Sequence, residues 1–161
     1  MKKTLLVLCL LALPVAAFAM GNVPASSTLP GFTLQDTAGN TVNYDSYRNN
    51  NVVLVAFFTT WCPWCQDEMP LLESLYKKYK SKGFQVVGIG IEETRESLLA
   101  FTETKKITFK VLMDPDGKVA TAYGVTKIPA LFLVDKTGTV RFKSLYVTVG
   151  TLENEINKVL Q

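Results

Sequence analysis

Seven consecutive apolar residues, Val52-Val53-Leu54-Val55-Ala56-Phe57-Phe58, lead into Cys62-Pro63-Trp64-Cys65 with only Thr59, Thr60 and Trp61 between. A β-branched and aromatic run without polar alternation predicts a strand covered on both faces. Downstream, Met69, Leu71, Leu72, Leu75, Tyr76 and Tyr79 recur at three- and four-residue spacing, which predicts a helix over about 63–80. The two cysteines therefore fall where a buried strand hands over to a helix N-terminus. The first N–H groups of a helix lack internal partners, and together with the helix dipole they stabilise a thiolate, the reactive form of cysteine. A C-x-x-C pair in that position suits thiol–disulfide exchange.

How many other thiols the working protein carries depends on its N-terminus. Met1-Lys2-Lys3 is a short basic segment, residues 5–13 are an apolar core, and Ala17-Phe18-Ala19 fits an A-x-A cleavage pattern. Residues 1–19 read as a signal peptide, with the mature chain starting at Met20. An uncleaved anchor is the alternative, since the apolar segment 4–20 is near the lower limit of about 17–25 residues for a spanning helix. Cys9 follows the bulky Leu8, which argues against lipid attachment. Removing residues 1–19 leaves 142 residues, enough for one domain with a real core. Losing Lys2 and Lys3 takes the formal charge from +3 to +1, which gives no electrostatic ground for binding nucleic acid. Cys62 and Cys65 are then the only thiols left. A bridge between them closes too short a loop to restrict the unfolded chain much, so the pair makes a poor staple and a good reagent.

Residues 20–30 are polar and contain prolines, and they read as a flexible leader ahead of one domain over 31–161. Residues 32–35 and 41–44 alternate around a Gly-containing turn, predicting an N-terminal β-hairpin, and 45–51 read as a connecting loop. Residues 84–91 form a second apolar strand, Thr94 is placed to cap a helix to about 105, and 109–113 form a strand closed by Asp114-Pro115-Asp116-Gly117. A helical turn is expected over 119–123. Segments 130–134 and 139–143 flank Asp135-Lys136-Thr137-Gly138, a hairpin with glycine supplying positive φ, and Thr151 is expected to cap a last amphipathic helix. Strands alternating with helices imply parallel units, and the final two strands are antiparallel. The expected fold is α/β, a mixed central sheet with helices on both faces. Gly88-Ile89-Gly90 lacks the third glycine and the helix start of a dinucleotide fingerprint.

The order Trp61-Cys62-Pro63-Trp64-Cys65, Glu68-Met69-Pro70, Val86-Val87-Gly88-Ile89, Tyr123-Gly124-Val125, Ile128-Pro129 and Leu133-Val134-Asp135-Lys136-Thr137-Gly138 resembles the thioredoxin superfamily. Within it, the chain is similar to the exported TlpA/ResA-type thiol–disulfide oxidoreductases, from about residue 29 to 160. The resemblance implies a thioredoxin-like fold in which Cys62 is the attacking, partly exposed thiol and Cys65 the buried resolving thiol. The predicted helix start agrees with that order, and Pro63 suits a first helical position because its missing N–H would have no partner there. The resemblance further implies that Pro129 is a cis-proline beside the dithiol, presenting the backbone of Ile128 to an extended substrate. Ala56 stands where thioredoxin itself has a buried aspartate. Glu68 matches an acidic residue of the ResA-like branch and lies at i+3 from Cys65, so it is expected to act as general base for Cys65; complementing the helix dipole is the plainer alternative. Trp61 and Trp64 are expected to frame the dithiol and dock partners, with simple packing an alternative for Trp61.

No cofactor is required, because the two sulfurs themselves carry the electron pair. Metal binding is the first rival, but the chain has no histidine and two thiolates do not complete a tetrahedral zinc site. Covalent haem attachment needs histidine after the second cysteine, and residue 66 is Gln. Nothing marks a separate peroxidatic cysteine. The resemblance implies an extracytoplasmic, periplasmic-type reductant fed by a membrane thiol donor and acting on exported protein disulfides, with the haem-binding cysteines of apocytochrome c as the leading case. A general disulfide oxidant or isomerase is the other direction, and a dithiol metal-binding module the other class.

Overall fold

A computed structural model describes residues 27–161. The expected signal peptide over 1–19 lies outside them. The elements are β1 (Thr33–Asp36), β2 (Thr41–Asn43), α1 (Tyr44–Arg48), β3 (Val52–Phe58), α2 (Pro63–Tyr79), β4 (Phe84–Ile91), α3 (Arg95–Thr104), β5 (Lys110–Asp114), α4 (Lys118–Ala122), β6 (Ala130–Val134), β7 (Val140–Ser144) and α5 (Val149–Leu160). A seven-stranded sheet runs in the order β2-β1-β5-β4-β3-β6-β7. β3–β4 and β4–β5 are parallel, and the other neighbours are antiparallel. Among the described residues no helix is long and apolar enough to cross a membrane.

All seven residues of β3 are buried because the sheet is covered twice. Val52, Leu54, Ala56 and Phe58 pack with α2, α3 and α5 through Met69, Leu72, Leu98, Phe101, Leu152 and Ile156. Val53, Val55 and Phe57 face a second core built on Tyr44, Tyr123 and Phe132. The period-two side-chain alternation of a strand thus feeds two separate cores. On β4 the alternation explains the glycines. A Cβ at Gly90 would stand 2.6 Å from Leu98 Cδ2, and one at Gly88 would stand 3.2 Å from Phe109 Cε2. These glycines admit large side chains to the sheet face.

Three expectations are corrected. Residues 45–51 are not all loop: α1 forms because the Asn43 side chain accepts from the Asp45 N–H and Tyr44 anchors it in the core. The last helix is capped by Thr148, whose hydroxyl accepts from the Thr151 N–H, so it begins at Val149 and Thr151 lies inside it. The leader does not extend to residue 30. Val140 N–H donates to Ser27 O at 2.9 Å, Leu29 is buried, and Tyr123 Oη donates to Pro30 O at 2.7 Å.

Candidate active site

The parallel strand β3 ends at Phe58, and Thr59, Thr60 and Trp61 carry the chain to the start of α2. Cys62 is the N-cap, with extended backbone (φ −78°, ψ 118°), and Pro63 opens the helix. The Cys62 side chain makes no capping hydrogen bond, so its sulfur is left for chemistry at the positive end of the helix. The Gln66 N–H donates to Cys62 O at 3.0 Å and closes the first turn. Cys65 lies on that turn, and both cysteines are free thiols. Cys62 is only 5% exposed and Cys65 1%. The Cys62 sulfur, expected to be partly exposed, is instead buried, because it packs in the same apolar cluster as Phe58, Cys65 and Val147. It remains the more accessible of the two.

The interior side of the dithiol is buried and carries the carboxyl group of Glu68. Burial pushes the Cys65 thiol up to about 12; the Cys62 thiol hydrogen-bonded to it and the nearby charge of Glu68 add to the rise, while the Thr59 backbone N–H opposes it. Glu68, one turn farther along α2, is 2% exposed. Burial pushes its carboxyl up to about 7, opposed by the Val147 N–H, which reaches Glu68 Oε1 at a long 3.4 Å. A carboxylate of this kind can hold or release a proton near neutrality. Among the described residues no three Cys, Asp or Glu side chains gather to hold a metal ion.

The exterior side is aromatic. Trp61 is 72% exposed and Trp64 61%, and the Trp64 ring meets Tyr146 edge-on at 5.3 Å. The Ile128–Pro129 bond is cis. Ala130, the next residue, pairs with Phe57, which sets Pro129 beside the exit of β3. Trp61, Thr59, Ile128, Lys127 and Glu92 line a cavity of about 350 Å³ next to the dithiol loop.

Two participants escaped the sequence reading. Tyr146 belongs to an irregular segment between β7 and α5, without periodicity to mark it. Glu93 accepts from Thr60 N–H at 2.6 Å, from Thr60 Oγ1 at 2.8 Å and from Ser97 Oγ at 2.5 Å. Its only signal was its position just ahead of the cap residue Thr94.

Residues 25–143 match the AhpC/TSA family. The chain belongs to the AhpC/TSA family. It is 35% identical over 133 residues to the thiol-disulfide oxidoreductase ResA of Geobacillus kaustophilus, covering 83% of this chain and 74% of that protein. It is 32% identical over 160 residues to ResA of Geobacillus thermodenitrificans, covering 96% and 89%. The thioredoxin domain of a Bacteroides vulgatus thiol-disulfide oxidoreductase superposes with a TM-score of 0.79 at 27% identity, over 87% of this chain and all of that domain. This AhpC/TSA member is a thiol–disulfide oxidoreductase of the thioredoxin superfamily, with a thioredoxin-like fold.

Proposed function

We propose that the protein donates electrons from Cys62 and Cys65 to disulfides in exported proteins. The observation that carries this reading is the Cys62 sulfur at the N-cap of α2, backed by a Cys65 thiol pushed up to about 12. Strong disulfide oxidants owe their power to a stabilised reduced form. A Cys65 thiol that burial keeps protonated adds no such stabilisation to the reduced form, which is in keeping with a reductant and not with a strong oxidant.

The Cys62 thiolate attacks a partner disulfide, forming one S–S bond to the partner and expelling the other partner sulfur as a thiolate. In that mixed disulfide Cys62 carries neither proton nor charge. Two of the influences that hold the Cys65 proton, the Cys62 hydrogen bond and the Cys62 charge, are therefore gone. Cys65 passes its proton to Glu68 and attacks the Cys62 sulfur. The Cys62–Cys65 disulfide forms, the second partner sulfur leaves, and two electrons have moved to the partner. Trp61, Trp64 and the Ile128-Pro129 segment supply the docking face. A thiol donor at the membrane restores the dithiol, and residues 1–19 direct the chain across it. The cysteines of apocytochrome c are a suitable substrate class.

Two measurements test the reading. Reduction of a protein disulfide by the dithiol form is expected to vanish in Cys62→Ser. Equilibration in glutathione buffers is expected to give a potential below about −230 mV, whereas a value near about −120 mV would mark an oxidant and reverse the proposed direction.

A further inference from the structure

Thr60 is gripped from both sides. Its N–H and hydroxyl both donate to Glu93 Oε1, at 2.6 and 2.8 Å, and its carbonyl accepts from Gln66 Nε2 at 2.8 Å. Glu93 lies in the loop between β4 and α3 and is itself held by the Ser97 hydroxyl on the first turn of α3. Gln66 stands on the first turn of α2, where its N–H closes onto Cys62 O. The Thr59–Thr60 and Thr60–Trp61 peptide groups are thus both fixed in orientation. Immediately upstream the Thr59 N–H supports the Cys65 sulfur, and immediately downstream come Trp61 and Cys62.

From this grip we infer that Glu93 is a positioning residue of the dithiol: acting through Thr60, it holds the strand-to-helix loop so that Cys62 meets a partner disulfide in line. Two hydrogen bonds from one loop residue converge here on a single carboxyl oxygen. Neither neighbouring element is built on them, since β3 already ends at Phe58 and Cys62 caps α2 without a side-chain hydrogen bond. Attack on a disulfide requires near-linear approach of three sulfurs, so a loop released by a fraction of an ångström loses rate without losing the thiol. The inference rests on the thiol–disulfide exchange proposed above.

The test compares full-length wild type, Glu93→Ala, Glu93→Gln and Thr60→Val in the reduction of insulin disulfides, with thermal midpoints measured in parallel. Glu93→Ala is expected to lower kcat about tenfold, with KM changed less than about threefold. Glu93→Gln can still accept from the Thr60 N–H and should restore kcat to within about threefold of wild type. Thr60→Val, which removes only the hydroxyl donor and serves if Glu93→Ala does not fold, is expected to lower kcat about threefold. Wild-type kcat in Glu93→Ala or Thr60→Val overturns the inference. So does a loss that follows the thermal midpoint and is not restored by Gln. Activity that persists in Cys62→Ser would instead overturn the exchange reading itself, whatever Glu93 does.

Discussion

Glu68 and Cys65 sit three residues apart on one helix, and burial works on both in the same direction, toward the neutral form. For Glu68 this has a pH signature of definite sign. Its folded value of about 7 lies above the ordinary 4.5, so between those values the folded protein holds a proton that the unfolded chain has released. The group's contribution to stability is fully present below about pH 4.5, is lost as pH rises toward 7, and is flat above; a gap of this size corresponds to ~3 kcal/mol. In Glu68→Gln that slope should be absent. Urea unfolding of both proteins from pH 4 to 8 checks it, and parallel pH profiles would contradict the buried-acid description. The same variant should leave the first attack intact but slow resolution at least tenfold, so that mixed disulfide accumulates on quenching with alkylating reagent.

At the scale of elements, the two glycines of β4 show how the sheet accommodates its helices. Leu98 on α3 lies against Gly90 so closely that an added Cβ would come within 2.6 Å of its Cδ2 and 2.9 Å of its Cδ1. Gly90→Ala should therefore destabilise by about 1–3 kcal/mol, and a smaller residue at 98 should reduce that cost. A double-mutant cycle with Leu98→Val measures this coupling, and strictly additive effects would place the strain elsewhere. The strands β3 and β4 and the helices α2 and α3 were legible in the sequence because long apolar runs, helical stripes and the Thr94 cap all agree there. The dithiol was legible for the same reason, standing between a clear strand and a clear stripe. α1 was not, since five residues are too few to show a period and its cap, Asn43, lies within the hairpin's second strand. Glu93 and Tyr146 were hidden because their partners, Thr60 and Trp64, are distant in sequence and meet them only when the loops close.

The whole molecule is divided by its sheet into two cores, and the dithiol belongs to one of them. Cys62, Cys65 and the stripe of α2 pack with Leu72, Leu98 and Ile156, whereas Leu29, Tyr44, Tyr123 and Phe132 pack on the opposite face. The segment around Leu29 is bound there by the backbone contacts of Ser27 and Leu29 with β7 and its turn, and by Tyr123 on Pro30. It stabilises the sheet from the side remote from the chemistry. Leu29→Ala empties a buried site and should cost about 2–4 kcal/mol, while insulin reduction stays within about twofold of wild type well below the melting range. Leu72→Ala, of similar cost, removes support from the stripe that carries Cys65 and should depress turnover as well as stability. Chemical unfolding and turnover measured together on the two variants separate these outcomes. Equal losses of turnover would mean that the sheet transmits disturbance between its faces, because β3, β4, β5 and β6 each place residues in both cores.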